Sequence, residues 1–397
     1  MRRSGATGPQ ALSRTVRPPT KNQPVQIDVS GVESPATREI YLTARPDPQL
    51  PLQRQGHEIF AAIRRTLATQ RLRIAQERIF APAHAVEMLQ MLRSAAYGDL
   101  DDGVSPAWLS GGPEPIIRGV QIHAVSQKPR PLAVDGTPCG RLIEQNGCRW
   151  ITASGLPTRR ARTRPAQVRR AFAEAEILLK QGGGNVDSIA RTWFFLRDIL
   201  DWYESFNDTR SRYFIDRGLL SPTSGVRLPA STGIGVAPAG NGDCLMDLIA
   251  VVGNTPCPRG EAQCLCKHLA AGKQQSAYEY GSSFARAATV CTPAGRTVYV
   301  SGTAAIDPSG ATCHRGDIAG QIRMTLDCIN AVLDDLQCSR SDVVQAIAYC
   351  KTPEVEAGFE KQRRDMPWPW LVVPADVCRD DLLFEAEVTA CAGAKEG

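Results

Sequence analysis

The chain has 397 residues, of which 43% are hydrophobic, 22% charged and 6% aromatic, and this composition excludes wholesale disorder, a collagen helix and a coiled coil. No stretch approaches the roughly 20 apolar residues of a membrane helix, so we expect no membrane partner. The net charge of +5 comes mostly from residues 1–24 and 159–170, which contain no aromatic side chain, so we expect no nucleic-acid partner.

The first part of the chain predicts a tail followed by a short αβ unit. Residues 1–36 are rich in Pro, Ser, Thr, Gly and Arg and lack periodicity, which predicts a disordered tail. Residues 37–130 predict a reduced unit with two helices. Its elements are a strand at 39–43, a helix at 55–70, a strand at 76–80, a helix at 85–95 and a strand at 116–125.

The same order of elements recurs twice. Residues 131–255 predict a second unit, with strands at 148–155, 190–196 and 244–252 and helices at 166–181 and 202–214. Residues 256–275 predict a variable loop. Residues 276–397 predict a third unit, with strands at 297–301, 344–351, 371–375 and 382–390 and two helices, the first opened by Asp317 and the second at 355–363.

Three copies of one αβ unit predict a pseudo-threefold arrangement, in which each sheet carries its own helices on one face and meets its neighbours with the other. The alternative is that the first unit is an unrelated helix–strand pair. In either case the chain is α+β.

The 13 cysteines are scattered, and several lie within apolar strand or helix patterns, as reduced cysteines do. The N-terminus has no apolar segment of the kind found in signal peptides, so we expect a cytoplasmic protein. The cluster Cys257, Cys264, Cys266 and His268 has an unsuitable spacing for zinc, and we expect no metal.

The third unit resembles the Rid (reactive intermediate/imine deaminase, YjgF-like) superfamily, whose fold is similar to that of the Bacillus chorismate mutase. The resemblance lies in Ser301-Gly302, Gly316-Asp317, Gln321, Thr325 and segment 382–387. It implies a homotrimeric fold with sites between subunits, and three units in one chain then predict an internal pseudo-trimer. That pseudo-trimer would act as a monomer or as the building block of a homo-oligomer.

Roughly residues 190–390 resemble the chorismatases more closely. These are Rid-like, cofactor-free enzymes that cleave chorismate and release pyruvate. The matching segments are 191–193, 228–235, 276–280, 283–287, 301–303 and 376–385. The resemblance implies a small-molecule substrate, no cofactor and a hydroxybenzoate-type product that serves secondary metabolism.

The cleavage of an enolpyruvyl ether requires a carboxylic acid with a raised pKa to protonate the terminal methylene group. Strand alternation places Glu385 and Glu387 on one face, so both could lie in one cleft. The resemblance assigns the catalytic acid to Glu385. The alternative is a pair of solvated strand carboxylates.

The resemblance also implies the substrate-binding residues. Arg286 and Arg379 would hold carboxylates, although each could equally form a surface ion pair, and Tyr280 would donate a hydrogen bond. Gly302 and Cys378 match the type that forms 3-hydroxybenzoate, unless Cys378 is only a small buried residue. The binding set also contains Tyr278 and Thr303.

Three departures affect this interpretation. Only Gly281 and Ser282 separate Tyr280 from Ser283, where chorismatases carry a longer segment that helps wall the substrate pocket, and residues 194–195 are Phe-Phe instead of Asn-Tyr. At the position of the catalytic glutamate we expect Asp247 in the second unit and Gln121 in the first. Only the last third of the chain is then equipped for catalysis.

The leading hypothesis is therefore a chorismatase-like lyase or hydrolase. One alternative is a Rid-type imine or enamine deaminase, although the strands expected to carry its carboxylate-binding arginine contain none. Another is a non-catalytic small-molecule-binding protein of a biosynthetic pathway.

Overall fold

The computed structural model describes residues 10–16, 24–34, 37–145, 147–156, 161–221, 225–253 and 264–392. These segments form three six-stranded sheets, one two-stranded ribbon and six α-helices. Within them, none of the helices combines the length and the apolar character that a membrane crossing requires.

The first unit is a complete sheet with two helices. Its elements are β1 (Gln10–Val16), β2 (Val25–Ser34), β3 (Thr37–Pro46), α1 (Leu52–Thr69), β4 (Arg73–Ala81), α2 (Val86–Tyr97), β5 (Ala107–Ser110) and β6 (Gly119–Val125). The strand order is β1-β2-β3-β6-β4-β5, and β4 and β5 run parallel.

The second unit repeats this topology. Its elements are β7 (Arg130–Val134), β8 (Thr137–Gln145), β9 (Cys148–Leu156), α3 (Arg164–Gln181), β10 (Ile189–Leu196), α4 (Tyr203–Asp216), β11 (Leu220–Ser221), β12 (Gly225–Val226), β13 (Ala230–Ile234) and β14 (Cys244–Val252). The sheet order is β7-β8-β9-β14-β10-β13, and β11 and β12 form the separate ribbon.

The third unit has the same order again, β15-β16-β17-β20-β18-β19. Its elements are β15 (Leu265–His268), β16 (Ala287–Cys291), β17 (Arg296–Ala304), α5 (Ile318–Asp335), β18 (Val343–Cys350), α6 (Pro353–Gln362), β19 (Trp370–Pro374) and β20 (Phe384–Ala392). The predicted start of α5 is correct, since the Asp317 side chain accepts a hydrogen bond of 2.9 Å from the Gly320 N–H.

The three sheets share one core on the faces opposite their helices. Phe80 and Leu109 of the first unit, Trp193 of the second and Tyr299 and Tyr349 of the third belong to a single buried cluster. Each unit also has its own cluster between sheet and helices. The helices therefore lie outside and the bare sheet faces inside, as the repeat predicts.

In each unit, a polar side chain at one structurally equivalent position forms a hydrogen bond to the next unit. Gln76 of β4 donates to the Ala153 carbonyl of the second unit over 2.9 Å, and Gln345 of β18 donates to the Leu42 carbonyl of the first over 3.2 Å. The same position in β10 is Arg191, which bonds the third unit. The units are thus related by a pseudo-threefold arrangement.

The prediction of a disordered tail over residues 1–36 is wrong for residues 10–16 and 25–34, which form β1 and β2. β2 pairs with β3 along its whole length, from Val25 opposite Pro46 to Ser34 opposite Thr37, and Val32 is buried. Hydrophobic residues at alternate positions are the signal of this strand, and the nearby Pro and Ser content concealed it. Residues 1–9, 17–23 and 35–36 lie outside the described residues.

Two further boundaries differ from the predictions. The first unit is not reduced, because β2 and β5 complete a sheet with the same order as the other two. Within the predicted loop at 256–275, β15 forms an edge strand paired with β16. Cys257 lies outside the described residues, and Cys264 is buried with its Sγ 3.3 Å from that of Cys148.

Candidate active site

A bulge in β17 makes room for the carboxyl group of Glu385. The ladder between β17 and β20 shifts its register between Val300 and Thr303, next to the point where Ala304 pairs with Glu385. At the bulge, a Cβ atom on Gly302 would collide with the Glu385 carboxylate oxygen. The glycine of the Ser-Gly pair at this strand end is therefore required for steric reasons.

The same bulge joins the third unit to the second. The Ser301 hydroxyl donates to the Ala285 carbonyl over 2.6 Å and accepts from the Ser231 N–H over 2.8 Å. The Gly302 N–H donates to Thr232 Oγ1 over 2.9 Å. Because Ser231 and Thr232 lie on β13, the site is built between two units.

Glu385 is buried, with 5% of its surface exposed, and it accepts no hydrogen bond from any described residue. Burial raises the pKa of its carboxyl group to about 8, the charge of Glu387 adds to this effect, and Arg191 opposes it. The group is therefore mostly protonated at neutral pH, which is the state that a general acid requires.

Glu387 lies on the same face of β20 but is fully engaged. Its carboxylate accepts from Arg191 Nη2 over 2.8 Å, from Trp193 Nε1 over 2.8 Å and from the Thr232 hydroxyl. These partners belong to β10 and β13. The two carboxylates therefore do not share one cleft, and Glu387 joins the units while Glu385 faces a cavity.

The cavity beside Glu385 is narrow, with a volume of about 40 Å³. Three arginines reach its wall: Arg210 from the second unit and Arg286 and Arg379 from the third. Tyr280 lies on its other side, in the segment between β15 and β16. The cavity thus combines one neutral acid with several cations.

Arg286 is held in place by neutral partners. It is 4% exposed, its Nε donates to the Gln275 carbonyl over 2.8 Å, and its Nη2 donates to the Tyr280 hydroxyl. Its guanidinium lies 5.4 Å from the ring centroids of both Tyr280 and Phe284. None of these contacts neutralises its charge.

Arg379 donates through Nη1 to the Gly310 carbonyl over 2.6 Å. Gly310 has a φ of +85°, and a Cβ there would collide with Tyr280. The turn at residues 307–310 therefore packs against the tyrosine and supports the arginine, so three separate loops close the cavity.

Arg210 is the main site residue that the sequence analysis missed. It is 2% exposed, donates through Nη2 to Asn207 Oδ1 over 2.6 Å, and its Nε has no partner among the described residues. Burial lowers its pKa. The sequence contains a signal for this residue: an arginine lies between Phe206 and Phe214 on the buried stripe of α4, and a helix that faces a core normally carries apolar residues at such positions.

None of the three arginines forms an ion pair with a carboxylate in the described segments. Arg210 and Arg286 are buried, and a buried cation without a counter-ion is costly, so the arrangement favours a ligand that supplies negative charge. Three guanidinium groups and one protonated carboxyl suit a ligand with two carboxylates.

Residues 282–391, which contain Glu385, Arg286 and Arg379, match the family model described as endoribonuclease L-PSP, the model of the Rid (YjgF-like) superfamily. The third unit is a Rid-type domain. Among curated protein sequences, none matches the chain.

The fold of the chain is similar to that of a chorismatase with a crystal structure at 1.08 Å resolution, at 22% identity and a TM-score of 0.52 over 69% of this chain and 82% of that one. YyfA from Yersinia pestis, a Rid-family protein of unknown function, aligns over 32% of this chain and 99% of its own, with 20% identity and a TM-score of 0.28. The YjgF gene product from E. coli aligns over 32% and 98%, with 20% identity and a TM-score of 0.25. The family match and the chorismatase-like fold confirm the prediction of an α+β chain built from Rid-like units.

The structure brings most of the predicted site residues to the Rid-type domain's cavity. Tyr278 is an exception, because it is 45% exposed and lies away from the lining. Thr303 is buried and donates to the Ser301 carbonyl over 2.9 Å, so it supports the bulge. The predicted residues that line the cavity are Glu385, Arg379, Arg286, Tyr280, Gly302 and Cys378.

The expected counterparts of Glu385 in the other units are displaced by two residues. Within its own unit, each of Asp247, Gln121 and Glu387 pairs with the same position of the adjacent strand. Asp247 and Gln121 are therefore the counterparts of Glu387. The true counterparts of Glu385 are Leu245 and Gly119. Neither ionises, so of the three equivalent positions only that of the Rid-type domain carries an acid.

Proposed function

We propose that the protein is a chorismatase-like enzyme. It protonates the enolpyruvyl ether of chorismate, or of a close relative, and releases pyruvate together with a hydroxybenzoate-type acid. The observation that carries the proposal is the buried, unbonded Glu385, with a pKa raised to about 8, next to the unpaired cations Arg210, Arg286 and Arg379.

The substrate's charges match the site. Chorismate has one carboxylate on its ring and one on its enolpyruvyl group, and the arginines provide charge-assisted hydrogen bonds for both. Arg286 and Arg379 approach from the third unit and Arg210 from the second. A dianion bound between them would hold the units' surfaces together and orient its ether group toward Glu385.

The chemical step uses the protonated form of Glu385. Its proton is transferred to the terminal methylene carbon, which gives an oxocarbenium ion and leaves Glu385 as a carboxylate. Water then adds to the cation and returns one proton to Glu385, which gives a hemiketal. The hemiketal hydroxyl loses its proton as the C–O bond to the ring oxygen breaks and that oxygen is protonated, so pyruvate and a dihydroxycyclohexadiene acid are released. Loss of one water molecule from this acid gives the hydroxybenzoate. Arg191 lies close enough to favour the carboxylate that forms in this step.

Gly302 and Cys378 support the 3-hydroxybenzoate-forming type of product. Gly302 leaves space for the Glu385 carboxyl, as described above. Burial raises the pKa of the Cys378 thiol to about 12, so it contributes a small neutral wall to the cavity.

Substrate binding requires the cavity to open. Its volume of about 40 Å³ is far below the roughly 300 Å³ at which small-molecule sites begin. The segment at residues 276–284 carries Tyr280 and a left-handed Gly281, and it packs against the turn at Gly310. We propose that this segment moves outward to admit the substrate.

The test is to incubate the purified protein with chorismate and to follow pyruvate with lactate dehydrogenase. We expect steady release by the wild-type chain and a loss of at least a hundredfold with Glu385→Gln. Glu87→Gln, which changes an exposed carboxylate on α2, is the matched control. Release that is equal in the wild-type and Glu385→Gln proteins would contradict the proposal.

The deaminase alternative predicts a different result. β13 and β19 contain no arginine, so the described strands offer none for the carboxylate of an imino acid. Faster release of a 2-keto acid from 2-aminoacrylate, measured by reduced semicarbazide trapping, would favour that alternative over chorismate cleavage.

A further inference from the structure

A second cleft, between the first and second units, is structurally equivalent to the Glu385 cavity. The ladder between β9 and β14 shifts at Ser154–Gly155, as that between β17 and β20 shifts at Ser301–Gly302. Leu245 lies where Glu385 lies in the third unit. The two clefts therefore share the strand bulge and the position of the acid, which is a leucine here, whereas helix α3 and the β7–β8 hairpin form much of the remaining lining.

This cleft is open and large enough for a small molecule. Its volume is about 360 Å³, within the range of roughly 300 to 1,000 Å³ that small-molecule sites occupy. Pro106 and Trp108 of the first unit form one wall, and Pro138, Leu156 and Leu245 of the second form the other. The walls are mostly apolar.

Two buried polar atoms in the lining have no hydrogen-bond partner within the described part of the chain. They are the hydroxyl oxygen of Ser154, a residue that is 2% exposed, and Nε1 of Trp108, a residue that is 9% exposed. Buried polar groups are almost always satisfied, and leaving one unbonded is costly. Both atoms would be satisfied by a ligand that carries a hydrogen-bond acceptor.

The one arginine of this cleft is paired with carboxylates, unlike the arginines around Glu385. Arg170 bonds Glu174 over 2.6 Å and Asp135 over 3.1 Å. An anionic ligand would therefore meet two carboxylates and an arginine that is already paired. The cleft favours an uncharged molecule.

The third equivalent cleft, between the third and first units, is filled. Arg45 extends into this interface and bonds the Trp370 carbonyl and the Asp28 carboxylate. The counterpart of Glu385 there is Gly119, where a Cβ atom would collide with the Leu371 side chain. The three clefts have thus diverged into an acidic, a closed and an open, neutral one.

The geometry points to a second binding site, in the cleft between the first and second units, for an uncharged and largely aromatic small molecule with a hydrogen-bond acceptor. The ligand would pack against the proline wall and place its acceptor in the plane of the Trp108 ring, where it can accept a hydrogen bond from Trp108 Nε1. This site does not depend on the proposed function, because it shares no residue with the Glu385 cavity.

The probe for this site is prodan, an uncharged naphthalene ketone whose emission shifts to the blue in an apolar site. We expect saturable binding to the wild-type protein with a blue shift. Leu245→Trp fills the cleft and should raise the Kd at least tenfold, whereas the volume-conserving Leu245→Met should keep it within about twofold. Circular dichroism and thermal unfolding report whether each variant is folded.

Two further variants separate this site from other surfaces. Trp108→Phe removes the donor but keeps the wall, and it should raise the Kd about fivefold. Glu385→Gln should leave prodan binding unchanged. No saturable binding, binding that Leu245→Trp leaves intact, or binding that Glu385→Gln abolishes would each overturn the proposal, and Trp108→Phe remains decisive if Leu245→Trp does not fold.

Discussion

Two glutamates on one strand face show how far the environment of a residue decides its chemistry. Strand alternation places Glu385 and Glu387 on the same side of β20, and the sequence predicts this correctly. It could not predict their different environments, because the partners of Glu387 come from β10 and β13, which lie 155 to 196 residues earlier in the chain. Long-range partners of this kind have no local signal.

The protonation of Glu385 should appear in the stability of the chain. Its folded-state pKa of about 8 lies above the ordinary value of 4.5, so the folded state binds this proton more tightly than the unfolded state. The contribution of Glu385 is therefore most favourable below pH 4.5 and is lost as the pH rises through 8, by up to about 1.4 kcal/mol per pH unit. Glu385→Gln removes this dependence.

Urea unfolding of the wild type and of Glu385→Gln at pH 5, 6.5 and 8 measures the effect. We expect the free energy of unfolding of Glu385→Gln, relative to that of the wild type, to increase at each step to higher pH. Glu87→Gln serves as the control and should run parallel to the wild type. Parallel curves for Glu385→Gln would mean that the Glu385 carboxyl is already ionised at pH 5.

We expect Arg210 to lower the stability of the chain and to strengthen substrate binding. It is a buried cation without a carboxylate partner among the described residues, so Arg210→Met removes a desolvation cost and should keep or raise the melting temperature. The same change removes a charge-assisted hydrogen bond to the substrate and should raise KM for chorismate about 10- to 100-fold. Arg210→Lys should recover part of the loss.

Steady-state kinetics and thermal unfolding of these two variants check the prediction. A purely structural role would lower the melting temperature of Arg210→Met and leave KM unchanged. That result would remove Arg210 from the binding site.

At the scale of elements, the predictable parts are those with strong local periodicity. All six helices lie within a few residues of their predicted positions, because apolar residues recur at helical spacing and several helices have clear caps. The sequence does not predict β1, β2 and β15 in this way. β1 and β15 are edge strands that depend on pairing with a neighbour, and the alternating hydrophobic residues of β2 lie beside Pro- and Ser-rich sequence. The bulge at Gly302 has a local Ser-Gly signal, but its steric cause lies on β20.

Deletion of β2 tests whether the N-terminal segment is a dispensable tail or a structural part of the sheet. β2 pairs with β3 along ten residues, Val32 is 2% exposed, and Asp28 forms an ion pair with Arg45. Deletion of residues 1–34 exposes this edge and should lower the free energy of unfolding by several kcal/mol, since each buried valine contributes about 1.5 to 3. Deletion of residues 1–9 alone is the control.

Urea unfolding of both truncated chains provides the measurement. Equal midpoints for the full chain and for the chain without residues 1–34 would mean that β2 contributes nothing and would restore the prediction of a dispensable tail.

For the whole molecule, the repeat predicts the architecture but not the pairings that hold it together. Apolar patterns in each unit indicate a sheet with a second buried face, which can only be covered by the other units. The polar contacts within the shared core, such as the ring formed by Gln76, Arg191 and Gln345, join residues from different units. These residues occupy equivalent positions in the three units, but each of their partners lies in another unit, so the sequence of one unit does not predict the pairing.

The ion pair between Arg78 and Asp247 tests whether the units unfold together. Arg78 Nε donates to Asp247 Oδ2 over 2.7 Å, both side chains are buried, and the guanidinium lies 3.7 Å from the Trp193 ring centroid. Burial raises the pKa of Asp247, and Arg78 opposes this effect. Arg78→Met leaves the carboxylate unpaired and should cost about 3 to 5 kcal/mol, whereas adding Asp247→Leu should recover most of the loss.

The unfolding of these two variants should remain a single transition. Because Arg78 belongs to the first unit, Asp247 and Trp193 to the second, and the buried cluster around them extends into the third, loss of the pair should shift the whole chain. Tryptophan fluorescence and far-ultraviolet circular dichroism should then give the same, lower midpoint for Arg78→Met. Separate midpoints would show that the first unit unfolds on its own and that the shared core does not couple the units.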